Sequence, residues 1–150
     1  MSVEVRTHTA LHVLKGAVVR VLGAEWTSGV SVDGSQGRLT VQFDRKPTDE
    51  ELAEIEELAN AKIREDAPVE ELELDRAEAE GRWGDAIYDL FPLLASITRL
   101  RIFHLPGWNV NACNKEHTSS MGEIGSLRIA KARFRAGKRL LEISYDVQPG

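Results

Sequence analysis

The sequence predicts a single α+β domain, in which a largely antiparallel sheet packs on a buried N-terminal helix and on a second, capped helix. Three observations lead to this class. Apolar residues recur at helical spacing near the N-terminus and again after residue 48, apolar and polar residues alternate in several later segments, and neither repeats nor a linker interrupt the chain. Its 150 residues suffice for one core without disulfides, so we expect one domain over residues 1–150.

The first element is a helix over Thr9–Leu22, whose apolar residues lie nearly all round and which is therefore expected to be buried. Gly23 supplies its stop. A hairpin follows, with strands at Val30–Val32 and Arg38–Phe43 on either side of the turn sequence D-G-S-Q-G. The second strand alternates between apolar and polar residues, which is typical of a strand buried on one face.

The second helix begins at Thr48, because Thr48 and Glu51 form a capping-box pattern, and Asp66 and Pro68 end it. Its apolar residues from Leu52 onward keep helical spacing.

The middle of the chain predicts shorter elements. Val69–Leu74 reads as a short strand, Asp75–Gly81 as a short acidic helix, and Thr98–Phe103 as another strand. The following H-L-P-G-W-N-V-N-A is expected to be a loop that delivers Cys113.

Two strands, Leu127–Phe134 and Leu140–Val147, are predicted at the end, joined at R-A-G-K. The first changes parity between Ile129 and Ala130, which indicates a β-bulge.

Charge is unevenly distributed along the chain. From Asp49 to Asp85 there are 15 acidic and 4 basic residues, whereas the remainder holds 9 acidic and 15 basic residues. Six basic residues and no acidic one lie between residues 128 and 139: Arg128, Lys131, Arg133, Arg135, Lys138 and Arg139. A local basic patch of this kind suits phosphate binding, and Lys131, Arg133 and Arg135 share one face of their strand. A solvated charged hairpin is the alternative interpretation.

Two pairs of metal-ligand residues carry the strongest functional signal. His8 and His12 in H-T-A-L-H, and Cys113 and His117 in C-N-K-E-H, are each spaced i, i+4, which on a helix places both side chains on one face. Imidazole and thiolate together favour Zn²⁺. The pairs use the only Cys and three of the four His residues, so we predict one shared zinc site held by the fold. Whether the zinc is catalytic or structural stays open at this point.

The remaining candidates are weaker. His104, in the apolar stretch I-F-H-L, is interpreted as a core or strand-end histidine. Trp26, Trp83 and Trp108 could stack on bases, but packing in the core or at its rim is the preferred interpretation.

A single Cys excludes an internal disulfide, and neither a signal peptide nor an apolar run of membrane-spanning length is visible. We therefore expect a cytoplasmic protein without a membrane partner. The absence of an obvious apolar edge predicts a monomer.

Several motifs resemble the alanyl-tRNA editing proteins, AlaX, which are free-standing relatives of the editing domain of alanyl-tRNA synthetase. They are H-T-A-L-H, V-Q-F-D, I-E-E-L-A-N-A-K-I and C-N-K-E-H-T-S-S-M-G-E-I-G-S-L-R-I, in that order over nearly the whole chain. The length resembles the short form, AlaX-S. The chain departs from the family at C-N-K-E-H, where the longer forms and the synthetase commonly have C-G-G-T-H.

The resemblance implies a zinc-dependent hydrolase that cleaves the aminoacyl ester of Ser-tRNA for alanine. His8, His12, Cys113 and His117 would then bind zinc, and Thr27 would recognise the serine hydroxyl. The partner would be the acceptor stem of that tRNA, not DNA.

Further contacts to the tRNA are expected from the residues themselves. Lys131, Arg133, Arg135 and Lys138 would bind acceptor-stem phosphates. Lys15 lies three residues after His12 and could meet the terminal phosphate; the alternative is a lysine that only extends its ammonium group to solvent. The turn from Gly122 to Gly125 could bring backbone N–H groups to the terminal nucleotide, or it could be only a tight turn.

Two alternatives remain from the sequence: a non-catalytic, zinc-stabilised RNA-binding module, and a zinc peptidase. The peptidase is disfavoured because H-T-A-L-H lacks the glutamate of H-E-x-x-H that would act as general base.

Overall fold

Helix α1 (Val3–Leu22) is the element on which the rest of the structure is assembled. The computed structural model describes residues 2–91 and 93–149. Ser2 caps α1 by accepting a hydrogen bond from the Val5 N–H, and Gly23 ends it in the left-handed region at φ +70°. The predicted helix and its stop are confirmed, although the helix begins six residues earlier than its apolar pattern. Its middle is buried on all sides, from Thr9 to Val18.

Four antiparallel strands form the larger sheet, in the order β1-β2-β7-β6. The first pair, β1 (Thr27–Asp33) and β2 (Gln36–Gln42), is the predicted hairpin; β6 (Ser126–Arg135) and β7 (Leu140–Gln148) are the predicted C-terminal strands. The register between β6 and β7 shifts between Ile129 and Lys131, which confirms the predicted bulge.

The inner face of this sheet packs on α1. Leu39, Val41, Ile143 and Tyr145 are buried there, and the Tyr145 hydroxyl donates a hydrogen bond of 2.8 Å to the Thr7 carbonyl of α1. Gly37 is required beside this tyrosine, because a Cβ at residue 37 would lie 2.3 Å from the Tyr145 hydroxyl oxygen.

Helix α2 (Asp49–Arg64) covers the same core from the side of β6. The predicted capping box is present: Thr48 Oγ1 accepts from the Glu51 N–H, and the Glu51 carboxylate accepts from the Thr48 N–H. Asn60 fastens the helix to the sheet through hydrogen bonds with both backbone groups of Leu127, at 2.8 Å each. The buried stripe of α2 consists of Ile55, Ala59 and Ile63.

A second antiparallel sheet has the order β3-β4-β5. Strands β3 (Glu70–Asp75) and β4 (Arg99–Leu105) agree with the predicted strands, and α3 (Arg76–Trp83) agrees with the short acidic helix. The prediction of a loop from His104 to Ala112 is wrong, because β5 (Asn109–Ala112) pairs with β4. Pro106 and Gly107 form only the turn between these strands, so the chain reaches Cys113 from a hydrogen-bonded strand.

The predicted α+β class, with antiparallel sheet on a buried N-terminal helix and a capped second helix, is confirmed, and the strands form two sheets. Short 3₁₀ turns at Gly84–Ile87 and Met121–Ile124 complete the described elements. Among the described residues, no helix is both long enough and apolar enough to cross a lipid bilayer.

Candidate functional site

The two predicted ligand pairs meet in space. The ligand atoms of His8, His12, Cys113 and His117 all lie within 4.8 Å of one another. His8 Nε2 is 3.2 Å from Cys113 Sγ, and His12 Nε2 is 3.2 Å from His117 Nε2. The chain therefore brings together residues 105 positions apart at one point between α1 and the second sheet.

Only one of the two pairs, His8 and His12, is brought together by a helix. His8 and His12 lie one turn apart on α1, whereas residues 113–119 form no helix. Cys113 directly follows β5, and its N–H donates to the Arg101 carbonyl of β4. His117 lies beside α1 because the next residue, Thr118, donates its N–H to Thr9 Oγ1 at 2.9 Å.

The two closest approaches in the cluster match the edges of a tetrahedral metal site. Zinc bonds of about 2.0–2.3 Å in a tetrahedron give ligand–ligand distances of about 3.3–3.7 Å, close to the two 3.2 Å approaches in the cluster. Three imidazoles and one thiol form a donor set suited to Zn²⁺ and unsuited to Mg²⁺ or Ca²⁺. The cluster could hold a metal ion.

Neighbouring polar groups orient two of the imidazoles. His12 Nδ1 lies 3.0 Å from Asn109 Oδ1, and His117 Nδ1 lies 3.1 Å from Glu71 Oε1. The Phe103 ring stacks on His12 with 4.0 Å between ring centroids. An oxygen acceptor on Nδ1 holds the proton there and leaves Nε2 free, which is the arrangement found for metal-bound histidines.

Burial keeps the three imidazoles uncharged. It lowers the pKa of His8 to about 4, assisted by His117 and Lys115, and it lowers the pKa of His12 well below its usual value. The pKa of His117 is lowered for the same reason, although Glu71 opposes the shift. Burial also raises the pKa of the Cys113 thiol. Neutral imidazoles are the form that can donate a lone pair to a metal ion.

A cavity of about 330 Å³ adjoins the cluster. His8, His12 and Cys113 form part of its wall, and Thr27 and Lys15 lie in the same wall. Apolar residues complete one side of the cavity: Leu11, Val30, Leu39, Leu93, Ile97 and Leu100. The predicted serine-recognition residue and three of the four predicted metal ligands therefore face one space.

Lys15 contacts Thr27 in this wall. Its Nζ donates a hydrogen bond of 2.6 Å to Thr27 Oγ1, and both residues are buried. Burial lowers the pKa of Lys15 to about 8, although Asp89 and Glu25 oppose the shift. The sequence suggested Lys15 as a phosphate contact, whereas in the structure its ammonium group is bonded to Thr27.

Asp89 is a cavity residue that sequence reasoning missed. It lies at the rim, where its Oδ1 accepts a hydrogen bond of 3.2 Å from Asn111 of β5. Desolvation by the surrounding protein raises the pKa of Asp89, against the effects of Asn111 and Lys15. Asn109 and Glu71, which orient the imidazoles, were missed as well.

The basic cluster of β6 lies away from this cavity. Ala132 and Phe134 pack toward the core, so the alternating Lys131, Arg133 and Arg135 lie on the outer face of the sheet, opposite α1. Arg135 forms an ion pair with Glu142 at 2.8 Å. The predicted sharing of one face is confirmed; Lys138 is exposed in the turn between β6 and β7.

None of these four residues lines the described cavities. Besides Lys15, three basic residues line the cavity beside the cluster: Arg99, Arg101 and Lys115.

The Gly122–Gly125 turn lies away from the cluster. The Gly122 N–H donates to Asp66 Oδ1 at 2.8 Å, and the Gly125 N–H donates to the Gly122 carbonyl at 3.3 Å. Neither glycine lines a described cavity. The structure therefore does not bring this turn to the cavity, and the N–H groups of both glycines already have acceptors.

His104, the fourth histidine, is separate from the cluster. It lies half-buried on β4, with Nδ1 2.8 Å from Glu70 Oε1 on the neighbouring strand. This placement agrees with the interpretation of a strand histidine.

The fold and the site together define an α+β protein with a three-histidine, one-cysteine cluster beside a cavity that has both polar and apolar walls. No family model matches the chain. Its sequence is 38% identical to alanine–tRNA ligase from Methanopyrus kandleri over 95% of the chain, and equally similar to the enzyme from Staphylothermus marinus. The enzyme from Methanococcus maripaludis is 36% identical over 93% of the chain.

The chain spans only 16% to 17% of the length of these relatives. It belongs to the family formed by this segment of the alanine–tRNA ligases, which confirms the resemblance to the alanyl-tRNA editing proteins.

Proposed function

We propose that this protein, over residues 1–150, hydrolyses the ester that joins serine to the 3′ end of tRNA for alanine. The observation that carries the proposal is that Thr27 and three residues of the His/Cys cluster, His8, His12 and Cys113, line one cavity. The relation to a segment of the alanine–tRNA ligases supports the substrate class, an aminoacyl-tRNA.

Editing is needed because serine differs from alanine only by one added hydroxyl group. The alanine pocket of a synthetase therefore rejects serine only weakly. The editing site must prefer serine through its hydroxyl group. Lys15 occupies an acceptor site on Thr27 Oγ1, so the Thr27 O–H can donate to a serine hydroxyl in the cavity. Alanine offers no such acceptor.

The preference for serine over alanine that this hydrogen bond would give is large enough to measure. A buried hydrogen-bonding group left without its partner costs about 1–3 kcal/mol, which corresponds to roughly a ten- to hundredfold preference for serine over alanine. Asp89 supplies a second polar contact, because its carboxylate at the rim can pair with the cationic α-amino group of the aminoacyl ester.

The reaction is a hydrolysis. A water oxygen bonds to the carbonyl carbon, the bond from that carbon to the ribose oxygen breaks, and the ribose oxygen takes up a proton. The residues that would hold zinc are His8, His12, Cys113 and His117. When bound there, Zn²⁺ would supply Lewis acidity beside the ester. Asn109 and Glu71 fix the imidazole orientations, and the apolar wall limits the water that reaches the ester.

The proposal places tRNA phosphates on two basic surfaces. Lys115 and Arg101 at the cavity would contact the single-stranded end, whereas Lys131, Arg133, Arg135 and Lys138 would contact the acceptor stem. The edge strands β1 and β6 are three strand spacings apart, about 14 Å, so one tRNA has to reach across the sheet.

A deacylation assay tests the proposal. Purified protein is incubated with Ser-tRNA and with Ala-tRNA for alanine, before and after removal of metal by a chelator. We expect release of serine, little release of alanine, and loss of activity on chelation that added Zn²⁺ restores. Binding of tRNA without release of serine would contradict the proposal and favour an RNA-binding module.

Two variants sharpen the assay. His12→Gln removes a cluster residue, and Arg64→Gln changes an exposed residue of α2 that lines none of the described cavities. Loss of serine release in the first and retention in the second is expected. Equal serine release by both variants would show that the reaction does not depend on the His/Cys cluster.

A further inference from the structure

A second cavity, of about 430 Å³, contains all three tryptophans of the sequence. Trp26, Trp83 and Trp108 line it together with Tyr88. The proposed hydrolysis uses none of these rings.

The three rings differ in what already covers them. Trp108 is held against α1: its Nε1–H donates to the Val13 carbonyl at 2.9 Å, and the Arg20 guanidinium lies 4.0 Å from the ring centroid. Gly16 permits this contact, since a Cβ there would lie 2.3 Å from Trp108 Nε1. Trp108 is therefore a fixed wall of the cavity.

Trp26 and Trp83 remain available for a ligand. Both are half-buried, and among the described residues no ring or cation stacks on Trp26. The nearest aromatic neighbour of Trp83 is His104, whose ring is tilted by 51° at a centroid distance of 5.2 Å, and the exposed Arg82 guanidinium lies 5.7 Å from the Trp83 centroid, beyond close stacking distance. A flat ligand can therefore stack on either indole.

The charged groups of the cavity select the kind of flat ligand. Glu25 and Asp85 line it, and within the described chain neither carboxylate has an ion-pair partner. Lys15 also lines it, but its ammonium group donates to Thr27 Oγ1. Two carboxylates repel a phosphate, but they accept hydrogen bonds from an exocyclic amino group, as carboxylates do from cytosine. The lining suits a base that carries an amino group and leaves its phosphate outside.

The second cavity adjoins the first. Lys15, Tyr88 and Asn109 line both cavities, and Asn109 also contacts His12 of the cluster. A nucleotide whose base enters the second cavity therefore has its ribose near the wall shared with the first, where the ester of the proposed reaction lies.

We propose that the tryptophan cavity binds a nucleobase with an exocyclic amino group, supplied by the unpaired 3′ end of the tRNA. This rests on the proposed function for the identity of the nucleic acid. All three bases of the universal C-C-A terminus carry such an amino group, and stacking between bases and aromatic side chains is the usual way of holding single-stranded ends.

The test is a titration of tryptophan fluorescence in the full chain with adenosine, cytidine and uridine, and with the ribonucleotides C-C-A and U-U-U. We expect saturable quenching by adenosine, cytidine and C-C-A, and weaker binding of uridine and U-U-U. Trp26→Leu and Trp83→Leu should weaken binding of C-C-A about tenfold each, since each removes one stacking surface.

Three further variants control the result. Trp26→Phe should keep most of the affinity, because it keeps an aromatic face. Asp85→Asn should reduce the preference for amino-bearing bases, and Phe91→Leu, at an exposed aromatic outside the cavity, should change nothing. A thermal melt of each variant shows whether it is folded. If Trp83→Leu does not fold, Trp26→Leu alone tests the inference.

The outcomes separate this inference from the proposed function. Release of serine by a protein that shows no saturable quenching, or unchanged affinity for C-C-A in Trp26→Leu, overturns the inference alone. Quenching that depends on Trp26, in a protein that releases no serine, supports the base site and overturns the hydrolysis.

Discussion

Lys15 Nζ donates a hydrogen bond of 2.6 Å to Thr27 Oγ1, and both side chains are buried in the wall of the cavity beside the His/Cys cluster. An ammonium group can only donate, so the Thr27 oxygen is the acceptor and its own O–H is free to point elsewhere. This contact turns an ordinary threonine into a hydrogen-bond donor of defined orientation.

Thr27→Val is predicted to abolish the preference for serine. Valine has nearly the same shape but no hydroxyl group, so the ratio of kcat/KM for Ser-tRNA to that for Ala-tRNA should fall ten- to hundredfold. The ratio is measured by deacylation with both substrates. Thr27→Ser, which keeps the hydroxyl, should retain most of the preference; an unchanged ratio in Thr27→Val would remove Thr27 from the recognition of serine.

Lys15 is predicted to make stability depend on alkaline pH. Its pKa is about 8 in the folded protein and 10.5 in the unfolded chain, so between these values the unfolded chain binds the extra proton. Stability therefore rises as the pH increases from 8 to 10.5, and the cost of burying the charge is fully present below pH 8. The shift corresponds to about 3 kcal/mol.

Urea unfolding at pH 7.5 and pH 10.5 measures this effect as a difference between wild type and Lys15→Met. The free energy of unfolding of wild type should gain about 2–3 kcal/mol relative to the variant at the higher pH, while other titrating groups contribute equally to both proteins. Parallel pH profiles for the two proteins would show that Lys15 keeps its ordinary pKa in the folded state.

Two adjacent glutamates offer a matched pair of variants for the metal site. Glu71 orients His117, whereas Glu70 pairs with His104 outside the cluster. Glu71→Ala is predicted to weaken Zn²⁺ binding ten- to hundredfold, because the orienting partner of a ligand is lost. Glu70→Ala should leave the affinity unchanged. Competition with a chromophoric chelator gives both values, and equal affinities would contradict the orienting role of Glu71.

Charge reversal on the outer face of β6 tests the proposed stem contacts. Lys131→Glu with Arg133→Glu should weaken tRNA binding and reduce the slope of log affinity against log salt by about two, with zinc content unchanged. Lys46→Glu with Arg64→Glu, exposed and outside the cluster of basic residues, is the control. An unchanged slope in the first pair would leave the cavity residues Arg101 and Lys115 as the phosphate contacts.

The sequence alone predicted most elements because their signals are local. The capping box at Thr48 and the alternation in β7 depend on residues a few positions apart, and both are present in the structure. The β6 bulge was visible for the same reason, as a parity change next to Ile129. The short strand β5 was missed because four residues flanked by a Pro-Gly turn and a coil carry little pattern of their own, and pairing with β4 stabilises them.

The same distinction holds for the residues of the candidate site: those with a local sequence pattern were predicted, and those selected by packing were not. The candidate ligand residues were predicted from residue type and spacing, although Cys113 and His117 converge through strand pairing and not through a helix. Glu71 could not be distinguished from its acidic neighbours Glu70 and Glu73, because only the packing of β3 beside His117 selects it. The bond between Lys15 and Thr27 depends on α1 crossing β1, a contact that no local pattern encodes.

The central claim is that the two ends of the chain share one metal ion, and X-ray absorption at the zinc edge of the loaded protein measures this most directly. The structure predicts one zinc per chain with three nitrogen neighbours at about 2.0–2.1 Å and one sulfur neighbour at about 2.3 Å. A spectrum without a sulfur neighbour, or a zinc content far below one per chain, would contradict the claim.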